Sequence, residues 1–487
     1  MQTSLPKQFI VCRQEAHIPA GWTVSEFGGY LIGRSPEIGL VRLLADTGEL
    51  RGVALGWPIY NGRLLITAGG PKDADLSVSV EDFLHDGAGR YLVLHEDAAG
   101  VHAVPDAGGF LGSVYCPELD MLAATTALIP ETEGNRAPSV LYDLLRIGER
   151  TGYYPFGYTN RQNIFRLTPN TSLRMGAFEV SRFDYMPPDR YASGVPSDLI
   201  PQIVAGVKAN VEAVAQSGPA ALHLTAGYDS RMMLAAARDC LDRIEIQTID
   251  FDYYIAKLDV HVARKICRRF GLNHKVYPFV ETPADEIEAW VRRTGNCVRD
   301  QVTDLSRTAD TMDLGGFSIM GTTGEVGRGR AHYWRREELH APPPDARGVL
   351  QRLGFPADEH LLRAAEGWLD SINATSATMV WDKAYIEQRV GCWTGATVYG
   401  HMIKYPSLSP FNARSLFDKM LRLPVDYRFE EQFTHDFVTS LWPELLEFEI
   451  NRPSGFDRLL FWRSELSYIL PPQAKAVYKT LKKRLAS

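Results

Sequence analysis

Six consecutive residues, Thr225-Ala226-Gly227-Tyr228-Asp229-Ser230, carry the densest chemistry in this 487-residue chain. Ala221 to Leu224 read as a short buried strand, and Met232 to Ala237 as a helix start rich in helix formers. The small residues between them require a tight strand-to-helix turn. Gly227 accepts a positive φ and lets another group approach the backbone closely. The N–H groups of such a turn converge on one spot, with the positive end of the helix behind them, and Thr225 and Ser230 add hydroxyl donors. This is a seat for phosphate or pyrophosphate. Asp229 is the odd member, because a carboxylate repels phosphate unless a cation lies between them. The loop therefore reads as a phosphate site with Mg²⁺ on Asp229. A plain strand–turn–helix has the same local pattern. The loop has neither the Gly-x-x-x-x-Gly-Lys nor the Gly-x-Gly-x-x-Gly spacing of the commoner phosphate binders.

A second loop carries further candidates. Gly315 to Gly321 read as a strand, followed by Thr322-Thr323-Gly324-Glu325-Val326-Gly327-Arg328-Gly329. Glu325 offers a second carboxylate for the metal. Arg328 cannot bind Mg²⁺ but can grip a phosphate with two N–H groups. Asp259 lies near a helix start, where a capping role competes with a functional one. His274 sits just before a strand. Glu387 and Arg389 stand beside Trp393 and either line the acyl-acceptor side or form a surface ion pair.

These stretches resemble the ATP pyrophosphatases of the asparagine synthetase and β-lactam synthetase type. The central loop is similar to their Ser-Gly-Gly-x-Asp-Ser loop, with Ala226 in place of the first glycine. Asp259-Val260-His261-Val262-Ala263 with Gly271-Leu272-Asn273-His274 resembles another stretch of that family. Thr322 to Gly329 resembles its Thr-Gly-x-Gly-x-Asp segment, where the Asp shares Mg²⁺ with the loop aspartate and where this chain has Arg328. Ser409-Pro410-Phe411-Asn412 and Leu423-Pro424 resemble later segments. The resemblance implies that ATP binds through Leu224, Thr225, Ala226, Gly227, Asp229, Ser230, Thr248 and Gly324. It implies catalytic roles for Asp229, Glu325 and Arg328, with Mg²⁺ on Asp229 and Glu325. The family also uses a late lysine in amide formation. Lys383, Lys404 and Lys419 are available for it, and Arg452, within Glu449-Ile450-Asn451-Arg452-Pro453, is a further stand-in.

The elements that must position these residues fall into two groups. From Phe9 to about Met175 the chain alternates strands and turns: Gly29 to Gly33, Ile38 to Leu44, Leu64 to Thr67, Gly87 to His95, Val101 to Asp106, Gly112 to Cys116 and Leu122 to Thr126. Glu81 to Leu84 reads as a turn, and Ser139 to Ile147 as a helix. Leu55 to Asn61, Gly89-Arg90-Tyr91 and Asp106-Ala107-Gly108-Gly109 resemble turns and a strand of the family's glutaminase domain. A glutaminase of this class needs a thiol at its mature N-terminus. Here the chain begins Met1-Gln2-Thr3-Ser4 and its first cysteine is Cys12, so ammonia production from glutamine is not expected.

The turn-rich stretch Pro187 to Pro196 places a boundary near residue 190. A helix from about Leu199 to Gln216 follows. The strands Arg243 to Ile249 and Lys275 to Phe279 and the helix Leu258 to Phe270 then complete a parallel α/β pattern. Ligands of such sheets lie beyond the C-terminal ends of the strands. Trp381 to Gly391 and Ala413 to Arg422 read as helices of a helical lobe, and Lys475 to Lys483 as a solvated basic helix. The expected fold is thus an α+β N-terminal-nucleophile-like double-sheet domain over 1–190. An α/β ATP-pyrophosphatase domain with a helical C-terminal lobe follows over 191–487.

A formal net charge of −7 and a pI near 6.0 argue against a nucleic-acid partner. No apolar run reaches membrane-spanning length, and no signal peptide is evident. The six scattered cysteines read as reduced thiols, placing the protein in the cytoplasm. The leading expectation is an ATP-dependent ligase joining a small-molecule or peptide carboxylate to an amine, in biosynthesis, with the homodimeric state left open. A catalytically inactive nucleotide-binding scaffold is the alternative from another class. Asparagine synthesis from free ammonia and a tRNA-modifying pyrophosphatase are weaker ones.

Overall fold

The computed structural model describes residues 5–183, 186–251, 254–312, 315–329 and 332–453. Its first part is built from two mostly antiparallel sheets. One has six strands, in the order Phe165–Leu167, Ser113–Cys116, Met121–Ala123, Phe9–Cys12, Tyr30–Arg34, Thr23–Phe27. The other runs Glu179–Arg182, Thr171–Arg174, Gly100–Pro105, Ala88–Asp97, Leu50–Tyr60, Gly39–Leu44, Asp73–Ser77. Its last pair is parallel. The apolar runs of Leu50–Tyr60 and Ala88–Asp97 are buried on both faces over most of their length, which only a sheet covered on both sides permits.

Four local expectations are corrected. Leu55 to Asn61 is mostly strand, and the chain turns only at Asn61, where φ is 47°. Glu81 to Leu84 belongs to the helix Val80–Asp86, because Ser79 Oγ caps it by accepting from the Asp82 N–H at 3.0 Å. Strand pairing beyond the turn stops at Leu64. The helix expected over Ser139 to Ile147 is one turn, Tyr142–Leu145. Arg146 takes left-handed backbone, its N–H closes on the Tyr142 carbonyl, and the helix ends there.

The helix Pro196–Gln216 leads into a five-stranded parallel sheet ordered His274–Pro278, Ile244–Asp250, Ala220–His223, Phe317–Ile319, Ser407–Leu408. Ala220 is in register with Ile244 on one side and Phe317 on the other. From Ala220–His223 the chain first adds strands in one direction, then crosses over to add them in the other. That reversal creates a crevice beyond the strand ends beside the central strand. The described protein is thus mixed α/β with several sheets. One continuous apolar cluster runs from Phe9 to Leu445 through both groups of sheets. Lys475 to Lys483 lies outside the described residues. Among the described residues no helix is long and apolar enough to cross a membrane.

The helix expected over Trp381 to Gly391 takes a different form. Ala377–Lys383 is α-helical and passes into an eleven-residue π-helix, Ala384–Thr394. π-Helical turns are rare and gather at functional sites. Their wider turn brings residues four and five apart onto one face.

Candidate active site

Ala220–His223 ends at the predicted loop, and the helix Tyr228–Ala236 begins directly after it, with Gly227 as its N-cap. The loop is tied up by its own side chains. Thr225 N–H donates to Ser230 Oγ at 3.1 Å, and the two hydroxyls meet at 2.9 Å. Gly227 N–H donates to Thr225 Oγ1 at 3.1 Å. Ala226 N–H donates to Asp259 Oδ1 at 2.8 Å. Asp259 thus engages the loop rather than serving only its own helix. Burial pushes its carboxyl up to about 6, against the pull of that N–H. Thr248 donates to the Leu224 carbonyl at 2.8 Å and meets His274 Nε2 at 2.8 Å, so His274 braces the neighbouring strand end. Behind the loop, Asn451 N–H donates to the Ala226 carbonyl at 3.0 Å. Arg231 is fully buried and donates to the carbonyls of Leu445, Phe448 and Glu449. The 445–451 segment therefore straps the loop in place. Arg452, next along the chain, is exposed.

The second loop packs directly onto Asp229. A Cβ at Gly321 would lie 2.7 Å from Asp229 Cβ, so only glycine allows the approach. Thr323 has φ of 74°, a strained state for a β-branched residue, held by contact with Ser409 Oγ at 3.2 Å. Arg328 emerges from this loop, 4% exposed. Its Nη2 lies 2.6 and 2.7 Å from the two Asp229 carboxylate oxygens. Glu431 lies 3.8 Å from Nη1, and the Tyr228 ring lies 5.2 Å from the guanidinium carbon. Burial works against the Arg328 charge, but Asp229, Glu325 and Glu431 outweigh it and raise its pKa. Asp229 is pushed up by burial and by Glu325, with Arg328 pulling the other way.

This geometry bears on the expected Mg²⁺ ligands. Both Asp229 oxygens already receive the guanidinium, and Glu325 supplies one further carboxylate. Among the described residues no group of three His, Cys, Asp or Glu side chains could hold a metal. The pair Asp229 and Glu325 does not fit the site assigned to it from sequence. The cation that stands opposite Asp229 in this structure is Arg328.

A cavity of about 570 Å³ opens over the loop, a size suited to a small organic ligand or nucleotide. Its walls are Leu224, Thr225, Gln247, Thr248, Thr322 and Glu325 at the strand ends. Val302, Leu305, Ala309, Met312 and Met320 form an apolar side. Ala226, Gly227, Ser230 and Gly324 stand behind this lining, as do Asp229 and Arg328. A broader depression of about 850 Å³ around Tyr142 and Arg146 contains none of the loop residues; the loop's chemistry marks the smaller cavity as the candidate.

The π-helix closes the opposite wall with Tyr385, Arg389, Val390, Trp393 and Thr394. Sequence reading paired Glu387 with Arg389, and the structure separates them. Arg389 faces the cavity, its guanidinium carbon 4.0 Å from the Trp393 ring centre. Glu387 points away, 1% exposed, and accepts from Asn170 at 2.9 Å, Arg182 at 2.7 Å and Trp368 Nε1 at 2.7 Å. Tyr385 is held well above its ordinary pKa by burial and by Glu325. Glu325 keeps one buried carboxylate oxygen without a partner.

The lysine in the cavity is none of those proposed. Lys383 donates to the Ile372 carbonyl, Lys419 to Ser415, and Lys404 is exposed. Lys7, from the other end of the chain, lines the cavity and donates to the carbonyls of Ile403 (2.8 Å) and His401. Burial lowers its pKa to about 7. No local sequence signal pointed to Lys7. Cys12 is buried in its strand with its thiol pushed up, the opposite of what a nucleophile needs.

No protein-family model matches the chain, and no curated protein matches it. Among solved structures, a glutamine-dependent NAD+ synthetase from Acinetobacter baumannii in complex with adenosine diphosphate aligns with it at 13% identity and a TM-score of 0.18. That alignment covers 47% of this chain and 41% of the synthetase.

Proposed function

We propose that this chain is an ATP-dependent ligase that activates a carboxylate as its acyl-adenylate and passes the acyl group to an amine. The observation that carries the reading is the Thr225–Ser230 loop, set at the reversal point of a parallel sheet and opening onto a nucleotide-sized cavity. In this reading residues 191–487 form an ATP-pyrophosphatase domain. Residues 1–190 form a degenerate glutaminase-like domain that supplies Lys7 and Arg90 to the cavity wall.

The carboxylate oxygen attacks the α-phosphorus of ATP and pyrophosphate leaves. The charge that develops on pyrophosphate falls beside the first turn of Tyr228–Ala236 and the Thr225 hydroxyl. Arg389, its guanidinium over the Trp393 ring and beside the phenol of Tyr333, holds the acidic substrate. Glu325, with its unpartnered oxygen, takes the proton from the incoming ammonium. The amine then attacks the acyl carbon, AMP leaves, and the nitrogen gives up its second proton to solvent. The substrates fit a cytoplasmic biosynthetic role in natural-product, peptide or surface-polymer assembly.

A second reading, a nucleotide-binding partner without turnover, is favoured by the ion pair between Asp229 and Arg328. One experiment separates the two. ATP is incubated with a pool of carboxylic acids and amines, and AMP plus pyrophosphate is read against ADP plus phosphate. AMP formation lost in Glu325→Gln, with pyrophosphate–ATP exchange retained, is the expected result. ADP formation would remove the adenylation chemistry. Nucleotide binding without turnover on any substrate supports the second reading, and absence of nucleotide binding removes both.

A further inference from the structure

A carboxylate next to a phosphate seat needs a cation, and the identity of that cation is fixed here by the fold. Asp229 stands in the first turn of Tyr228–Ala236, where a bound phosphate would lie. Its two oxygens are met by one nitrogen of Arg328, at 2.6 and 2.7 Å. The Arg328 side chain is 5% exposed, and its Nε is buried without a partner. The backbone on either side of Arg328 is closely packed, because Phe433 crowds Gly327 and Trp334 crowds Gly329. A Cβ would come within 2.5 Å of a ring atom at Gly327 and within 2.1 Å at Gly329. The strained Thr323 backbone and the close approach of Gly321 hold the other side of the loop.

We propose that Arg328 is the permanent counter-cation of this site, and that the chain binds nucleotide phosphate without a divalent ion. The inference rests on the proposed nucleotide site. A divalent ion between Asp229 and phosphate would have to displace a guanidinium that already satisfies both carboxylate oxygens. It would then crowd a second positive group against Arg328, with only Glu325 and Glu431 besides Asp229 to share the charge. A guanidinium is always charged and presents N–H groups in a rigid fork. Held behind the cavity wall, it neutralises Asp229 and leaves the phosphate seat without an uncompensated carboxylate. The arrangement gives up the larger charge of a divalent ion, and it frees Glu325 for the proton transfer proposed above.

The experiment has two arms on the full chain. In the first, binding of a non-hydrolysable ATP analogue is measured by calorimetry in EDTA and in excess Mg²⁺. The expected result is affinities within about threefold of each other. In the second, Mn²⁺ alone is titrated into the wild type and into Arg328→Asp, and bound metal is read by its paramagnetic resonance. Arg328→Asp places a third carboxylate beside Asp229 and Glu325. It is expected to bind Mn²⁺, and the wild type is not. Analogue affinity that drops by about tenfold or more in EDTA overturns the inference while leaving the nucleotide site standing. Analogue binding in neither condition removes the nucleotide site and the inference with it. Mn²⁺ binding by the wild type through Asp229, lost in Asp229→Asn, also overturns it. If Arg328→Asp does not fold, the wild-type arms decide the matter, and Arg328→Gln serves to show whether analogue affinity falls when the fixed charge is removed.

Discussion

Asp259 and Arg389 are the two side chains whose surroundings make the sharpest demands. Asp259 is pushed from its ordinary 3.8 to about 6 by burial. Between those values the folded protein retains a proton that the unfolded chain has released, so stability falls as pH rises through the window. The cost is complete above about pH 6 and absent below about pH 4. Asp259→Asn keeps an oxygen for the Ala226 N–H and removes the charge. It is expected to stabilise the protein by about 1–3 kcal/mol at pH 7.5 and to change little near pH 4. Thermal melts at both values test this, and an equal offset at the two pH values would contradict it. Arg389 makes no ion pair among the described residues and faces the cavity. Arg389→Ala is expected to raise the KM for the acidic substrate by about tenfold or more, the loss of a charge-assisted hydrogen bond. Nucleotide affinity should hold. A fall in nucleotide affinity with KM for the acid unchanged would place Arg389 on the phosphate instead.

At the scale of elements, the π-helix and the helical turn after it build one whole cavity wall. Their position depends on glycine. Gly395 lies against the Asp106 turn of the first part, where an added Cβ would sit 2.3 Å from the Gly109 carbonyl oxygen. Gly112 N–H donates to the Gly395 carbonyl at 3.1 Å, and the Tyr399 hydroxyl donates back to Gly112. Backbone meets backbone, so the clash cannot be relieved by a side-chain rotation. Gly395→Ala is expected to cost about 1–3 kcal/mol by overpacking. It should also weaken nucleotide binding, because Thr394 and Thr397 of the cavity wall must move. A urea midpoint and a binding isotherm indistinguishable from wild type would show that the wall is not held this way.

The whole molecule is joined by polar bolts inside a shared core. Asp106 is fully buried and accepts the N–H groups of Tyr91, Gly108, Phe110 and Leu111. It also accepts from Asn412 Nδ2 at 2.8 Å, across the molecule. Asp382 and Arg428, 2% and 0% exposed, form a second bolt, with Arg428 also donating to the Val326 carbonyl of the second loop. Asp382→Ala leaves that guanidinium buried and unpaired and is expected to cost about 3–5 kcal/mol, read from denaturant unfolding. The apolar cluster is continuous from Phe9 to Leu445, so residues 191–487 expressed alone should not give a soluble, cooperatively melting protein. A fragment that melts with a single sharp transition would refute that.

The sequence by itself determined what depends on neighbours along the chain. A strand, a small-residue turn and a helix had to follow one another from Ala221 to Ala237, because propensity and glycine placement are local properties. The same holds for the parallel α/β pattern around that turn, for Gly271 as a helix end and for Asp106 to Gly109 as a turn. Charge partners, facing directions and helix type were decided only by the tertiary structure. Asp229 and Arg328 are 99 residues apart, and their pairing needs two strand ends to become neighbours in one sheet. A π-helix has no composition that separates it from an α-helix, so Glu387 and Arg389 could be assigned to opposite faces only once Ala384–Thr394 was wound. Lys7, just ahead of the first strand, is held at the cavity by the carbonyls of His401 and Ile403, the former a contact that spans 394 residues. No pattern along a sequence carries a closure of that length, since it is fixed by which apolar faces bury one another.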